Sequence, residues 1–438
     1  MCQADREKTP VATKNTNPRF GGFLVYNESM KKREDLRTWI EIDKKAIAHN
    51  YRTFRKLLEE NEYRKSHPDI LQNVRMTRTK LLAVVKSNAY GHNLLEFAPE
   101  MEKLGADWLG VDSLVEAHSA RSAGVKIPVL VLGFTLPTLY DEARKNGVSI
   151  TLSSFVQLER ILKLKPSKVS LKIHVKVDTG MHRQGFQLNE AGRLLQMLAH
   201  RGDSLALKGV SSVRPSNTFK VEGLYTHFAE AKNPRDGDST RRQIAEFKEW
   251  TKKFHDAGFA PICHAAATGG ATLYPEAHFD MVRIGVGCYG LWPSSEAEQY
   301  LGKKIKLKPA LSWRAIVSEV KHVKGGERVG YDFTERLHRD STLAVVPVGY
   351  WHGIPRLLSG RGRVLLRGKT ARIIGRVSMD MIIVDVTDIP RVVMGDEVTM
   401  IGRDGKEEIK AGEIASFAGT THYEIVTRLN PLIKKFYL

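Results

Sequence analysis

From about residue 37 to 300, short β-branched runs alternate with stretches of helical period, and this alternation limits the fold more than any other feature. A strand followed by an amphipathic helix, repeated many times, builds a parallel sheet whose crossovers cover its faces. Strand character is found at 81–85, 108–111, 129–132, 149–152, 171–177, 223–227 and 281–284. Helical period lies between them, for example over 114–123 and 241–257. About eight such units in about 260 residues fit a closed (β/α)8 barrel of the TIM type better than an open doubly wound sheet.

After about residue 305 the texture changes. Strand-like runs recur at 343–348, 363–366, 371–374, 381–386 and 397–401, punctuated by Gly, Pro and Asp. That pattern predicts a separate all-β domain. Residues 1–36 are polar, without period, and read as a flexible arm. The expected α/β organisation is an arm over 1–36, a barrel over 37–304 and a β domain over 305–438. Two polar, basic stretches, 61–79 and 200–220, interrupt the barrel rhythm and read as surface loops.

Composition excludes several classes of function. The three cysteines, Cys2, Cys263 and Cys288, form no Cys-x-x-Cys pair, so neither a disulfide framework nor a zinc cluster is expected. A reducing, cytoplasmic setting follows, since the first residues lack the apolar core of a secretory signal. No run of about 18 apolar residues appears, so no membrane span is expected. Lys and Arg number 68 against 49 Asp and Glu, a net charge of +19. Such an excess raises a polyanion as partner. No helix-turn-helix, zinc-finger or RNA-motif pattern accompanies it, so a nucleic-acid role rests on charge alone. The basic cluster Lys31-Lys32-Arg33 is either a phosphate contact or a solvated face.

The sharpest local motif is Ala83-Val-Val-Lys86-Ser-Asn-Ala-Tyr90-Gly-His92. Lys86 ends an apolar strand, where a barrel carries its functional side chains. A lysine in a dry barrel mouth can form a Schiff base with a carbonyl cofactor. A strand-end lysine reaching solvent is the other reading of this residue alone.

The decapeptide resembles the cofactor-lysine motif of alanine racemases, and the resemblance continues in order from about residue 37 to 438. It runs through Lys176-Val-Asp-Thr-Gly-Met-His-Arg183, Glu222-Gly-Leu-Tyr-Thr-His227, His264-Ala-Ala-Ala-Thr268, Met281-Val-Arg283-Ile-Gly285-Val286-Gly-Cys-Tyr-Gly290, Val329-Gly-Tyr331, Pro347-Val-Gly-Tyr350, Gly375-Arg-Val-Ser-Met379-Asp380 and His422-Tyr423-Glu. The resemblance implies a pyridoxal-phosphate-dependent racemase interconverting L- and D-alanine for peptidoglycan. Gly285-x-Gly287-x-x-Gly290 also fits a dinucleotide fingerprint, but Pro293 follows where that motif needs a helix. Backbone N–H groups of such a segment can cradle a phosphate without a Rossmann fold.

By resemblance, Lys86 carries the cofactor, Gly285 and Val286 donate to its phosphate, and Tyr90, Thr268 and Tyr423 supply hydroxyls. Arg283 would face the pyridine nitrogen. An arginine does not give up its proton, so the ring stays a weaker electron sink, which suits racemisation over transamination. Racemisation needs acid/base groups on both faces of a planar carbanion. Lys86 serves one face and Tyr331 the other, Tyr331 entering from the neighbouring subunit of a homodimer. His227 orients the pair, Arg183 and the backbone at Met379 hold the substrate, and Lys176 matches a lysine often carbamylated in the family.

The chain departs from the common pattern at His264-Ala-Ala-Ala-Thr268, around Tyr331, at Tyr350-Trp-His352-Gly and at Asn93. A racemase of broader substrate range is the nearest alternative. Tyr289 and Trp292 point instead to a small pocket. A non-catalytic pyridoxal-phosphate carrier would lack the β domain and the second base.

Overall fold

The computed structural model describes residues 32–60, 78–199, 218–235 and 237–438. Most of the arm, Lys31 of its basic cluster, Cys2, and nearly all of the two basic stretches lie outside the described residues. The chain divides into two units, Met1–Leu36 and Arg37–Leu438. In the first, Arg33–Asp35 forms a single 3-10 turn.

The second unit opens with β1 (Thr38–Ile42) and α1 (Lys44–Glu59), whose N-cap Asp43 accepts from the Lys45 and Ala46 N–H groups. Eight parallel strands follow: β2 (Lys80–Val84), β3 (Trp108–Val111), β4 (Val129–Val131), β5 (Val148–Leu152), β6 (Leu171–Lys176), β7 (Phe219–Tyr225), β8 (Ile262–His264) and β9 (Met281–Ile284). Each from β2 to β7 pairs with the next, and β9 pairs back to β2. A parallel bridge between Ala267 and Arg283 closes the ring between β8 and β9. Strands β3 and β5 are buried at every position, as a sheet covered on both faces requires.

The β domain contains β10 (Leu311–Ile316), β11 (Glu319–Val323), β12 (Arg328–Val329), β13 (Glu335–Arg336), β14 (Ser341–Val346), β15 (Arg363–Leu366), β16 (Lys369–Ile374), β17 (Ile382–Asp385), β18 (Glu397–Asp404), β19 (Glu407–Ile409) and β20 (Lys435–Tyr437). The main sheet runs β11-β14-β17-β16-β15-β18-β10-β1-β20, with β19 on β18. Strand β10 alternates buried and half-buried residues, the pattern of a sheet with one covered face.

Strand β1 falls within the segment expected to be barrel, 37–304, yet it pairs antiparallel with β10 and parallel with β20. The run Thr-Trp-Ile-Glu-Ile suits either sheet by pattern. Its partners decide, and they lie far along the chain. The barrel strands begin with β2.

Candidate functional site

A cavity of about 670 Å3 opens at the C-terminal end of the barrel strands. Lys86 follows β2, Lys176 ends β6, His227 follows β7, Thr268 follows β8 and Gly285 follows β9, and all five line it. Tyr90, Arg183, Arg283, Val286 and Tyr423 line it as well. Ten residues expected at the site from the sequence thus share one cavity.

Lys86 sits at the wall with its Nζ 3.5 Å from Asp112 Oδ1. The next four residues, Ser87 to Tyr90, have φ between 51 and 55°, a left-handed turn without glycine. Such residues cost on the order of 1–3 kcal/mol each and persist only where surroundings over-determine them. Here the Ala89 N–H donates to the Val85 carbonyl at 2.9 Å, the Asn88 N–H to Glu116 Oε1 at 3.2 Å, and the Leu94 N–H to Asn88 Oδ1 at 2.9 Å. The turn carries Tyr90 back across the cavity, close to Gly285. A Cβ on Gly285 would stand 2.9 Å from Tyr90 Oη, so only glycine leaves that space open.

The Gly285 and Gly287 N–H groups donate to Thr268 Oγ1 at 3.2 and 3.3 Å. That hydroxyl therefore has its own proton free to donate. Burial pushes the Tyr90 hydroxyl well up and Tyr423 up to about 12, so both stay protonated donors. Three neutral hydroxyls around a glycine turn make an anion cradle at one end of the cavity.

Arg283 is 2% exposed, and both of its terminal nitrogens have acceptors. Nη1 donates to the His264 carbonyl at 3.1 Å and to His264 Nδ1 at 2.9 Å. Nη2 donates to the carbonyls of Thr226 at 2.8 Å and Ala265 at 2.7 Å, and to His227 Nδ1 at 3.1 Å. Its guanidinium lies 5.2 Å from the centre of the Tyr225 ring. Because arginine only donates, the imidazole protons behind it are fixed in turn. His264 must carry its hydrogen on Nε2, which donates to His174 Nδ1 at 2.9 Å. His174 then carries its hydrogen on Nε2, 3.6 Å from Glu222 Oε2. Glu222 also accepts from Ser149 Oγ at 2.5 Å and pairs with Lys172 at 3.4 Å. Burial holds His174, His227 and His264 below the usual imidazole range, with Arg283 adding to each. All three are neutral, and His227 keeps its hydrogen on Nε2.

Lys176 is held down to about 8 by burial and by the nearby charges of Arg183 and Arg283. Its Nζ donates to Gln184 Oε1 at 3.1 Å. The loop to Arg183 is shaped by Asp178, whose Oδ1 accepts from the N–H groups of Gly180, Met181 and His182.

Two expected residues stand apart from this lining. Tyr331, in a 3-10 turn spanning Tyr331–Phe333, is 69% exposed, and Met379 is exposed too. An ion pair between Asp332 and Arg376 at 2.6 Å ties down the turn. Tyr289 and Trp292, expected to narrow the substrate pocket, line a different cavity, and the Tyr289 hydroxyl donates to the Val84 carbonyl at 2.9 Å. Asp112 and the imidazole chain to Glu222 were not singled out from sequence, though His264 and Glu222 lie in the quoted motifs.

The alanine racemase N-terminal domain matches residues 69–293, and the C-terminal domain matches residues 310–437. The chain belongs to the alanine racemase family. Members of the family are pyridoxal-phosphate-dependent isomerases. The alanine racemase of Symbiobacterium thermophilum is 36% identical over 403 residues, covering 91% of this chain and 97% of its own. That of Methanococcus maripaludis is 33% identical over 403 residues, covering 91% and 98%. Among solved structures, the Bacillus anthracis alanine racemase with bound L-Ala-P superposes with a TM-score of 0.78 at 32% identity, covering 92% of this chain and 95% of that one. The Bartonella henselae enzyme with covalently bound pyridoxal phosphate gives 0.76 at 25% identity, covering 92% and 100%.

The residues present fit that cofactor. The cradle between Gly285 and Tyr90 is space that a Cβ would fill, three hydroxyls suit a phosphate, and Lys86 supplies the amine. Arg283 suits an unprotonated ring nitrogen, since it offers only N–H groups.

Proposed function

We propose that this chain interconverts L- and D-alanine with Lys86 and Tyr331 as its two proton carriers. The observation that carries this reading is the pairing of Lys86 with Arg283 in one cavity, with no carboxylate beside Arg283 among the described residues. Bound pyridoxal phosphate supplies a conjugated ring that draws electrons from the substrate Cα. A partner that cannot leave a proton on the ring keeps that pull weak, which favours returning a proton to Cα over transamination.

Lys86 moves a proton at Cα on one face, and Tyr331 of a second copy does so on the other. His227, neutral with hydrogen on Nε2, orients Tyr331 while Arg283 fixes its ring. Arg183 and the Met379 backbone hold the substrate carboxylate and the cofactor hydroxyl region. A carbamate on Lys176 would turn its repulsion of Arg183 into attraction, and the low Lys176 pKa of about 8 supplies the neutral amine that this needs. Tyr90, Thr268, Tyr423, Gly285 and Val286 hold the phosphate.

A homodimer is supported by an apolar surface on the β domain, where Tyr331, Phe333, Trp351, Leu357, Met379 and Met381 are all more than half exposed. In this reading the segment 37–304, less β1, supplies most of the cofactor's contacts, and 305–438 brings Tyr423 to the phosphate and the second base. The product supplies D-alanine to peptidoglycan in the cytoplasm. Among the described residues no helix is long and apolar enough to cross a membrane.

Complementation tests the shared site. Lys86→Ala and Tyr331→Phe are each inactive as homodimers in this scheme. Mixed and reassembled, they form heterodimers with one intact site, restoring roughly a quarter of wild-type activity. No recovery despite verified heterodimers refutes the sharing. Unchanged racemisation by Tyr331→Phe alone refutes the second base.

A further inference from the structure

A second cavity, of about 260 Å3, lies between the segment after β9 and the segment joining β18 to the helix Ala411–Phe417. It shares no lining residue with the cofactor cavity. Trp292, Leu307, Leu311 and Ile409 give it apolar walls.

Two histidines are set into those walls. His92 is 1% exposed, and its Nδ1 stands 3.0 Å from the Tyr90 carbonyl. A carbonyl only accepts, so Nδ1 bears the hydrogen and Nε2 is a bare acceptor. Among the described residues no group donates to that Nε2. His422 repeats the arrangement, with the Trp292 backbone as its neighbouring acceptor and a buried Nε2 that has no partner among the described residues. Burial holds His92 down to about 4 and lowers His422 as well, so both stay neutral acceptors at pH 7. Two orphaned acceptors lining one cavity ask for a donor.

The charge around them narrows the donor. Lys435 bears on His92, which disfavours a cation there. Glu298 is paired with Lys410 at 3.6 Å. Bare ring nitrogens repel an anion. The volume exceeds the roughly 150 Å3 that holds one benzene. We propose that this cavity binds a small neutral molecule with an aromatic or compact apolar body and a hydroxyl that donates to His92 or His422 Nε2.

Its occupant would press on the cofactor site through rings. His422 stacks on Tyr423 at 4.7 Å, and His92 packs on Tyr289 at 4.6 Å, which packs on Tyr90 at 4.8 Å. Tyr90 and Tyr423 line the cofactor cavity. This coupling rests on the function proposed above, whereas the binding itself does not.

Phenol titrated calorimetrically into the holoenzyme tests the site, with benzene as the probe lacking a donor. The expected result is saturable binding at one site per chain, about tenfold tighter than benzene. His92→Phe keeps the ring and removes the acceptor, and should bring phenol down toward benzene. Gly412 lines the cavity and has no atom within 4 Å of where its Cβ would stand. Gly412→Phe should therefore fill the space and abolish binding in a folded protein. Absent saturation, equal affinity for phenol and benzene, or wild-type affinity in both variants each overturns the proposal. Phenol should also change the rate at which pyridoxal phosphate is lost on dialysis by severalfold, in wild type but not in Gly412→Phe. Saturable binding with an unchanged rate refutes the coupling and leaves the site standing.

Discussion

Glu222 stands three side chains behind the cavity, and changing it to Gln tests whether the imidazole chain is electrostatically anchored. The substitution keeps shape and an acceptor for Ser149 but removes the charge facing Lys172 and His174. Against the opposing push of burial, the His174 ring N–H 3.6 Å away and the Ser149 hydrogen bond hold the Glu222 carboxyl down from 4.5 to about 2. That difference corresponds to about 3 kcal/mol in favour of the ionised form. The side chain keeps 14% of its surface in water, so screening trims the figure to about 2 kcal/mol. A depressed carboxyl stabilises the fold above its unfolded pKa of about 4.5 and loses that contribution as pH falls toward about 2. The gap between wild type and Glu222→Gln in urea denaturation should therefore be full at pH 7 and smaller by roughly 40% at pH 3.5. Cofactor-ring absorbance should shift as well, because Arg283 loses the fixed imidazole behind it. A gap under about 0.5 kcal/mol at pH 7, or one that does not change with pH, refutes the anchoring.

Thr268→Val preserves volume but strands the Gly285 and Gly287 N–H groups and removes a donor to the phosphate. Cofactor affinity by equilibrium dialysis should fall about tenfold. Lys176 has a folded pKa near 8 against an ordinary 10.5, so its ammonium costs stability below about 8, and the cost fades as pH rises to 10.5. In bicarbonate-free buffer, Lys176→Met should be more stable than wild type at pH 7 by about 2 kcal/mol after screening, with the two converging near pH 10.5. Gly91 has φ +80°, and a Cβ there would run into the Val426 carbonyl, so Gly91→Ala should lower unfolding free energy by about 3 kcal/mol in urea titration.

Much of the barrel was legible because its strands are apolar on both faces. The runs at 108–111 and 281–284 match β3 and β9 residue for residue. Strand β8 escaped notice because it has three residues and only His264 is fully buried. Strand β11 did so because Glu319, Lys321 and His322 are charged or polar on an exposed edge. The cofactor cavity was legible through Lys86, Arg283 and the glycine segment, each tied to one chemical need. The left-handed turn after Lys86 gave no glycine to announce it. His174 sits within an apolar strand and reads as core, and only the hydrogen-bond direction set by Arg283 reveals its place in a chain. Tyr289 and Trp292 misled because an aromatic near a glycine loop says nothing of which side of the loop it faces.

Since β1 is paired on one side with β10 and on the other with β20, the β sheet cannot close until the last strand has been synthesised. All eight barrel strands emerge first, tethered to a strand without neighbours. The helix that follows β1 reaches the phosphate cradle directly. A Cβ on Gly287 would run into the Phe54 ring, and Asn50 grips Lys308 through bonds of 2.8 Å in both directions. While the barrel strands emerge, the glycine turn rests on a helix whose Lys308 anchor and whose strand's two partners, β10 and β20, are still to come.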